Sequence, residues 1–431
     1  MKKFSETAIK VNICCIFAVS LYKMDILLHT LGNGMRLAHV NTSEPVAHLG
    51  IIVNAGSRDE DEREHGLAHF TEHMFFKGTK KRRSFHIFSR IEDVGGELNA
   101  YTNKEETAIH TSFLKDDYER AMELLSDITL NSTFPEKELQ KEKDVIIEEI
   151  NSYLDSPAEL IFDEFDEQIF SGSPIGRSIL GKPETVNSFT RNDICRFIEK
   201  NYTAGEMVVF SVGNIGNSHI IKLFEKYFGS YRSAASKERE KTMQTYKPST
   251  ITRQKDTFQN HCILGTGAYS ITHEKRLGMS LLNNLLGGHC LNSRLNLALR
   301  ERNGLAYTVE SNYVPYSDTG IFSIYFATDK KYLEKCLSII FKEIDRLCAS
   351  KLGIMQLSRA KKQLKGYAAR SFENRESMAI SMGKSLLALN RIYGIDDICS
   401  KIDAITSLQL LDIANEAFDR SKMSMLIYSQ K

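Results

Sequence analysis

With 431 residues, of which 42% are hydrophobic and 26% charged, the chain lies in the ordinary globular range and can bury large cores, and its length suits two or three domains. A formal net charge of +1 gives no electrostatic basis for binding nucleic acid or an anionic membrane. Eight cysteines without a C-x-x-C pair argue against a zinc ribbon or a dithiol redox centre and favour reduced, mostly buried thiols.

Residues 1–23 stand apart from the rest. Val11 to Tyr22 is mostly apolar and follows Lys2, Lys3 and Lys10, yet is too short to span a bilayer. It reads either as a poor secretory signal, with Ala18-Val19-Ser20 as a small-residue cleavage site, or as sequence upstream of a true start at Met24. Asn12 and the cysteine pair suit a signal core badly. The expectation is therefore a start at Met24 and a cytoplasmic protein, with export as the alternative.

Residues 24–232 form a first domain in which strand-like runs such as Leu49–Asn54 and Met207–Gly213 alternate with amphipathic helices. Within it, His69-Phe70-Thr71-Glu72-His73 places two imidazoles at i and i+4, one above the other on a helix. Two neutral imidazoles on one face are two of the three protein ligands that a catalytic zinc takes. Glu72, at i+3 from His69, lies near that face, where a carboxylate can act as general base. The H-x-x-E-H spacing reverses the commoner H-E-x-x-H order and keeps its physics. An ordinary histidine-bearing surface helix would carry the same letters, so a third ligand is required. The stretch Pro135–Leu154 supplies one. Pro135, Glu136 and Glu138 open a helix, and Leu139, Ile146, Ile150 and Tyr153 share its buried face. Glu142 and Glu149 project along one line at the edge of that face, while Glu148 points to solvent. A carboxylate aimed at a core is costly unless it is paired or binds metal. This favours Glu149 as third ligand and Glu142 as an auxiliary carboxylate; the alternative is that both are boundary residues satisfied by Lys or Arg neighbours.

Residues 233–247, rich in Lys, Glu and Ser, read as an exposed linker. A second domain over 248–431 has strands near Cys262–Gly267 and Thr319–Phe326 and helices around Leu277–Leu286 and Leu333–Cys348. The expected fold class is α+β, as two sheet-and-helix domains.

Almost the whole chain after Met24 resembles the pitrilysin-type (M16) zinc peptidases, in particular single-chain, two-domain members like the mitochondrial processing peptidase β-subunit. The resemblance runs through Thr30-Leu31-Gly32-Asn33-Gly34-Met35-Arg36, with Gly32 where the family more often has Pro, then Asn54-Ala55-Gly56-Ser57-Arg58 and Gly66 to Thr79. It continues through Asn99-Ala100-Tyr101-Thr102 with Glu105 and Thr107, and through Glu142 to Ile150. Leu285-Leu286-Gly287-Gly288 to Leu295, Arg300-Glu301 and Gly304-Leu305-Ala306-Tyr307 extend it into the second half. The family's third ligand follows its second histidine by about 76 positions, as Glu149 follows His73 here.

The resemblance implies two related domains, each a mostly antiparallel sheet packed with helices and together half of the family's clamshell. It implies one Zn2+ per chain on His69, His73 and Glu149, with Glu72 as general base and Glu142 assisting. It further implies that Arg300 binds substrate and Tyr307 steadies the oxyanion; read alone, they would be a surface salt-bridging residue and a strand core residue. Asn99 to Thr102 would be an edge strand that adds substrate as an extra β-strand. His65 is treated as a surface residue at the helix start. The activity implied is a zinc metalloendopeptidase for extended peptides or unfolded protein segments, working as a homodimer or as a heterodimer with a related subunit. A catalytically silent scaffold and a hydrolase for non-peptide substrates are the alternatives.

Overall fold

The computed structural model describes residues 25–233, 239, 246–288 and 290–430. The 1–23 extension and most of the 233–247 linker lie outside them. The first sheet contains β1 (Ile26–Thr30), β2 (Arg36–Asn41), β3 (Val46–Val53), β4 (Glu97–Thr102), β5 (Thr107–Leu114) and β6 (Met207–Gly213), in the spatial order β1-β2-β6-β3-β5-β4. All neighbours are antiparallel except β2 and β6. The central β6, MVVFSVG, is buried along its whole length, as a strand covered on both faces must be. The helices of this half are α1 (Leu67–Phe75), α2 (Ser84–Glu92), α3 (Tyr118–Leu130), α4 (Glu136–Leu154), α5 (Pro157–Ile169), α6 (Pro183–Ser188), α7 (Arg191–Asn201) and α8 (Asn217–Phe228).

The second sheet contains β7 (Thr250–Lys255), β8 (Asn260–Gly267), β9 (Ala306–Pro315), β10 (Gly320–Thr328) and β11 (Ser424–Gln430), ordered β7-β11-β8-β10-β9. Its one parallel pair is β7 with β11. The helices are α9 (Arg276–Leu286), α10 (Leu333–Ala349), α11 (Ile354–Glu373), α12 (Arg375–Leu389), α13 (Ile395–Ala404) and α14 (Ser407–Ala417), with a short π-helical turn at Asn296–Glu301. Leaving out β1, the two halves follow one path. Strands β2, β6, β3, β5 and β4 correspond in order and direction to β7, β11, β8, β10 and β9. Two sheet-and-helix units of one topology match the α+β class expected.

One face of each sheet is covered by helices of its own half, through Phe70, Leu125, Ile146 and Phe197 in the first and Leu282, Ile340 and Ile413 in the second. The opposite faces are covered reciprocally. Helix α12, from the second half of the chain, lays Met378, Ala379, Met382 and Leu386 on Ala38, Ile52, Val208 and Phe210 of the first sheet. Helix α5, from the first half, lays Leu160, Ile161 and Phe165 on Ile263, Tyr325 and Leu426 of the second. Gly383 permits the first contact, because a Cβ there would lie 2.5 Å from the Phe210 ring. Each buried Leu, Met or Phe in these layers contributes about 1.5–3 kcal/mol. The thiols differ from expectation: the six described cysteines are free, but only Cys262 and Cys336 are buried. Among the described residues no helix is long and apolar enough to cross a membrane.

Candidate metal centre

Helix α1 begins where Gly66, at φ 96°, turns the chain inward, a conformation that favours glycine. Its first N–H groups are met by Glu60, whose buried carboxylate accepts from Gly66 N–H at 3.0 Å and Ala68 N–H at 2.8 Å. A carboxylate there also faces the positive end of the helix dipole. Burial pushes the Glu60 carboxyl well above the ordinary range, with both N–H groups opposing the shift. His65 departs from expectation. It is buried, with Nε2 2.9 Å from the Ser178 carbonyl and its own carbonyl accepting from Thr185 at 2.6 Å, because the turn at Gly66 folds it beneath the 178–185 segment.

From this rigid start His69 and His73 emerge on one face, ring centroids 4.6 Å apart. Glu149 of α4 reaches both: its Oε1 lies 3.8 Å from His69 Nε2 and its Oε2 3.7 Å from His73 Nε2. All three donor atoms lie within 4.8 Å of one another, the arrangement that can hold a metal ion. Ligands about 2.0–2.1 Å from a tetrahedral zinc are about 3.3–3.4 Å apart, so the two contacts between imidazole and carboxylate lie within about half an ångström of that spacing. The Glu149 side chain is 45% exposed, so it stands at the solvent-facing side of the cluster and not in the core toward which the helical face pointed it.

The second nitrogen of each imidazole is treated differently. His73 Nδ1 is 2.9 Å from Glu142 Oε1, and Lys77 Nζ is 2.5 Å from Glu142 Oε2. A carboxylate on Nδ1 fixes the tautomer that leaves Nε2 free for a metal. Burial opposes a charge on His73, but Glu142, Glu72 and Glu149 outweigh it and raise its pKa. Burial also opposes the charge of Glu142, and His73 and Lys77 together hold its carboxyl below the ordinary value. His69 Nδ1 is buried without a hydrogen-bond partner among the described residues; burial and the charge of His73 push its pKa down to about 3, which keeps the ring neutral.

Glu72 is buried beside the pair, and Thr102 Oγ donates to its Oε2 at 2.7 Å. Burial raises its pKa, and Glu149 adds to the rise against Thr102 and His73. Two contacts here escaped sequence reading. Thr102 was read as part of a substrate strand, and nothing local announces its bond to Glu72. Lys77 lies two residues beyond the end of α1, so helical spacing does not announce its pairing with Glu142 either.

Residues Asn99 to Thr102 lie on β4, at the free edge of the first sheet. Leu98 and Ala100 pack toward the core that holds α1, and Thr102 bonds to Glu72. Asn99 and Tyr101 therefore face the other side, where Tyr101 hydrogen-bonds Glu106 at 3.2 Å under Lys384 of α12. Arg300 lies in the π-helical turn and Tyr307 near the start of β9, the corresponding edge of the second sheet. The Arg300 guanidinium sits 5.0 Å from the Tyr307 ring and 3.7 Å from Glu301, and Tyr307 is 77% exposed. Tyr307 is thus no core residue. Among the described residues neither contacts His69, Glu72, His73 or Glu149 within the chain.

Residues 36–183 match the family described as Insulinase (Peptidase family M16), and residues 188–364 match the Peptidase M16 inactive domain. The uncharacterised zinc protease YmxG of Bacillus subtilis is 33% identical over 401 residues, covering 93% of this chain and 97% of its own. The mitochondrial-processing peptidase subunit beta of Caenorhabditis elegans is 28% identical over 416 residues, covering 95% of this chain and 90% of its own. A protease from Helicobacter pylori shares the fold with a TM-score of 0.88 at 21% identity, over 95% of this chain and 100% of that one. With these matches along its length, the chain belongs to peptidase family M16.

Proposed function

We propose that this protein is a zinc-dependent endopeptidase for extended peptides or unfolded protein segments, holding one zinc ion on His69, His73 and Glu149. The observation that carries this reading is the convergence of His69 Nε2, His73 Nε2 and the Glu149 carboxylate beside the buried Glu72. When bound there, zinc supplies Lewis-acid polarisation of water and of a peptide carbonyl. Glu72, its pKa raised by burial, takes a proton from the attacking water and delivers it to the leaving amine nitrogen. The Thr102 hydroxyl holds one Glu72 oxygen, leaving the other to face the reacting water. The free edge of β4 pairs with substrate backbone, a mode that reads main chain more than side chains and so tolerates many sequences.

Arg300 and Tyr307 fit the chemistry of a substrate carbonyl acquiring negative charge, through a fixed guanidinium and a phenol donor. Their exposure and their lack of contact with the zinc ligands in their own chain favour a homodimer in which a second copy presents them. The test is cleavage of a quenched peptide library by the natural protein and by Glu72→Gln, with metal content measured on both. One zinc per chain in each and a rate loss of about 10²–10⁴-fold in the variant are expected. Protein without zinc overturns the metal site, and zinc without cleavage replaces the enzyme with a scaffold. Mixed Tyr307→Phe and Glu72→Gln subunits should regain activity; dimers that regain none overturn sharing between copies.

A further inference from the structure

A second cleft lies far along the chain from the zinc ligands, on the seam where α12 crosses to the first sheet. Ile26 of β1, Leu277 of α9, Phe372 of α11, Met382 and Leu389 of α12 and Ile398 of α13 line an inner space of about 230 Å³. It opens into an outer groove of about 660 Å³, and Arg276, Leu277, Leu389, Tyr393 and Lys401 line both. The inner lining is mostly apolar, with the Ser280, Ser381 and Ser385 side chains among it, and the cations Arg276 and Lys401 stand where it meets the outer groove.

That mouth is cationic. Lys401 Nζ lies 3.8 Å from the centroid of the Tyr393 ring, with the guanidinium carbons of Arg391 and Arg276 at 4.8 and 5.9 Å. Among the described residues none of these three cations forms an ion pair with a carboxylate. The acidic residues of the outer groove, Glu274 and Asp412, lie toward Lys275, which is itself paired with Glu416. Cation–π contact with one exposed ring is worth only about 0.5–1 kcal/mol, while three like charges around it repel one another. An anion placed there would be bound by all three.

The inner space decides what that anion carries. A peptide would bring an amide N–H and carbonyl with each residue, more than the Ser280, Ser381 and Ser385 hydroxyls could pair, and every unpaired one is costly against Ile, Leu, Phe and Met. An alkyl chain brings none. We propose that this cleft binds a small amphiphilic anion, a carboxylate with a medium-length alkyl chain, its head held by Arg276, Arg391 and Lys401 and its tail among Ile26, Leu277, Met382 and Ile398. The residues come from both halves of the chain, so the ligand spans their seam. This site is independent of the peptidase reading.

The chain contains no tryptophan, so Tyr393→Trp places a single fluorescent reporter at the mouth and keeps an aromatic ring there. The full-length variant is titrated with decanoate below its micellar concentration, and calorimetry on the natural protein repeats the measurement. Saturable binding at one site is expected, at least tenfold tighter than for 1-decanol or decyltrimethylammonium. Adding Arg276→Gln and Lys401→Gln should raise the Kd at least tenfold with unchanged circular dichroism. Absence of decanoate binding, equal binding of 1-decanol, or indifference to the double substitution overturns the proposal. So does tighter binding of a short peptide with an apolar residue at its free C-terminus.

Discussion

At the scale of single residues, His73 works through both ring nitrogens: Nε2 faces Glu149 while Nδ1 is tied to Glu142. Glu142→Gln exchanges a charged acceptor for a neutral one and leaves the ring less firmly aligned. Zinc affinity should fall about 10–100-fold by competition with a chelator, with the fold retained. His39 is a different case, fully buried between Ser211 and the Ile215 carbonyl at 3.1 Å each. Burial lowers its pKa, with the hydrogen bonds to Ile215 and Ser211 opposing the shift, so the folded protein binds this proton less readily than the unfolded chain. Its contribution is complete above the unfolded value of about 6.5 and is lost as pH falls toward the lowered folded value. Relative to His39→Gln, the natural protein should lose up to about 1.4 kcal/mol of stability per pH unit below that point, read from denaturant midpoints. The cluster of His69, His73 and Glu149 is legible in the letters because i, i+4 geometry and the face of one helix are local properties. His65 was misread because its burial depends on a segment more than a hundred residues away, and Thr102 because its bond to Glu72 crosses from strand to helix.

At the scale of elements, β4 has no neighbouring strand on its outer side among the described residues. Asn103 N–H points inward to the Glu106 carbonyl, and the alternation of an antiparallel ladder then turns the N–H groups of Leu98, Ala100 and Thr102 outward. Ala100→Pro removes one outward donor without breaking a bond to β5, and proline is tolerated on edge strands. For an extended peptide KM should rise roughly fivefold, the equivalent of about 1 kcal/mol for one hydrogen bond, with zinc content and melting temperature unchanged. An unaltered KM would dissociate this edge from substrate binding. The helices read from sequence match well: α4 was expected over Pro135–Leu154 and spans Glu136–Leu154. Its apolar face told which way it lies, but could not tell that Glu149 would stand at a solvent-facing rim while Glu142 is covered by Lys77. That difference is set by how α1 and α4 cross.

At the scale of the whole molecule, the two halves are joined by an ionic knot around the buried Arg58 as well as by apolar packing. Arg58 donates to Glu105 at 2.6 Å and to both oxygens of Asp318, in the β9–β10 turn, at 2.8 and 2.6 Å. Ser317 adds bonds from its N–H and hydroxyl to the same Glu105. Arg58→Ala would remove the buried guanidinium that joins Glu105 to Asp318 and leave Glu105 with only the more distant Arg239, 3.6 Å away, as cationic partner among the described residues, at a cost of about 1–3 kcal/mol in chemical denaturation. Arg58→Lys should recover part of that loss, since it restores the charge without the fork. The sequence announced two halves through the polar stretch between them, but not this knot and not the crossing of α5 and α12, which no local pattern encodes.

That crossing bears on ancestry. Helices α5 and α12 occupy the same place in the order of their two halves, and each covers the sheet of the other. This is the arrangement left when two identical ancestral chains that traded a segment become joined end to end by gene duplication and fusion. Once fused, neither copy retains the lid for its own sheet. The second copy could then diverge over time, yet it could not be deleted, because it still provides the cover of the sheet against which α1 packs.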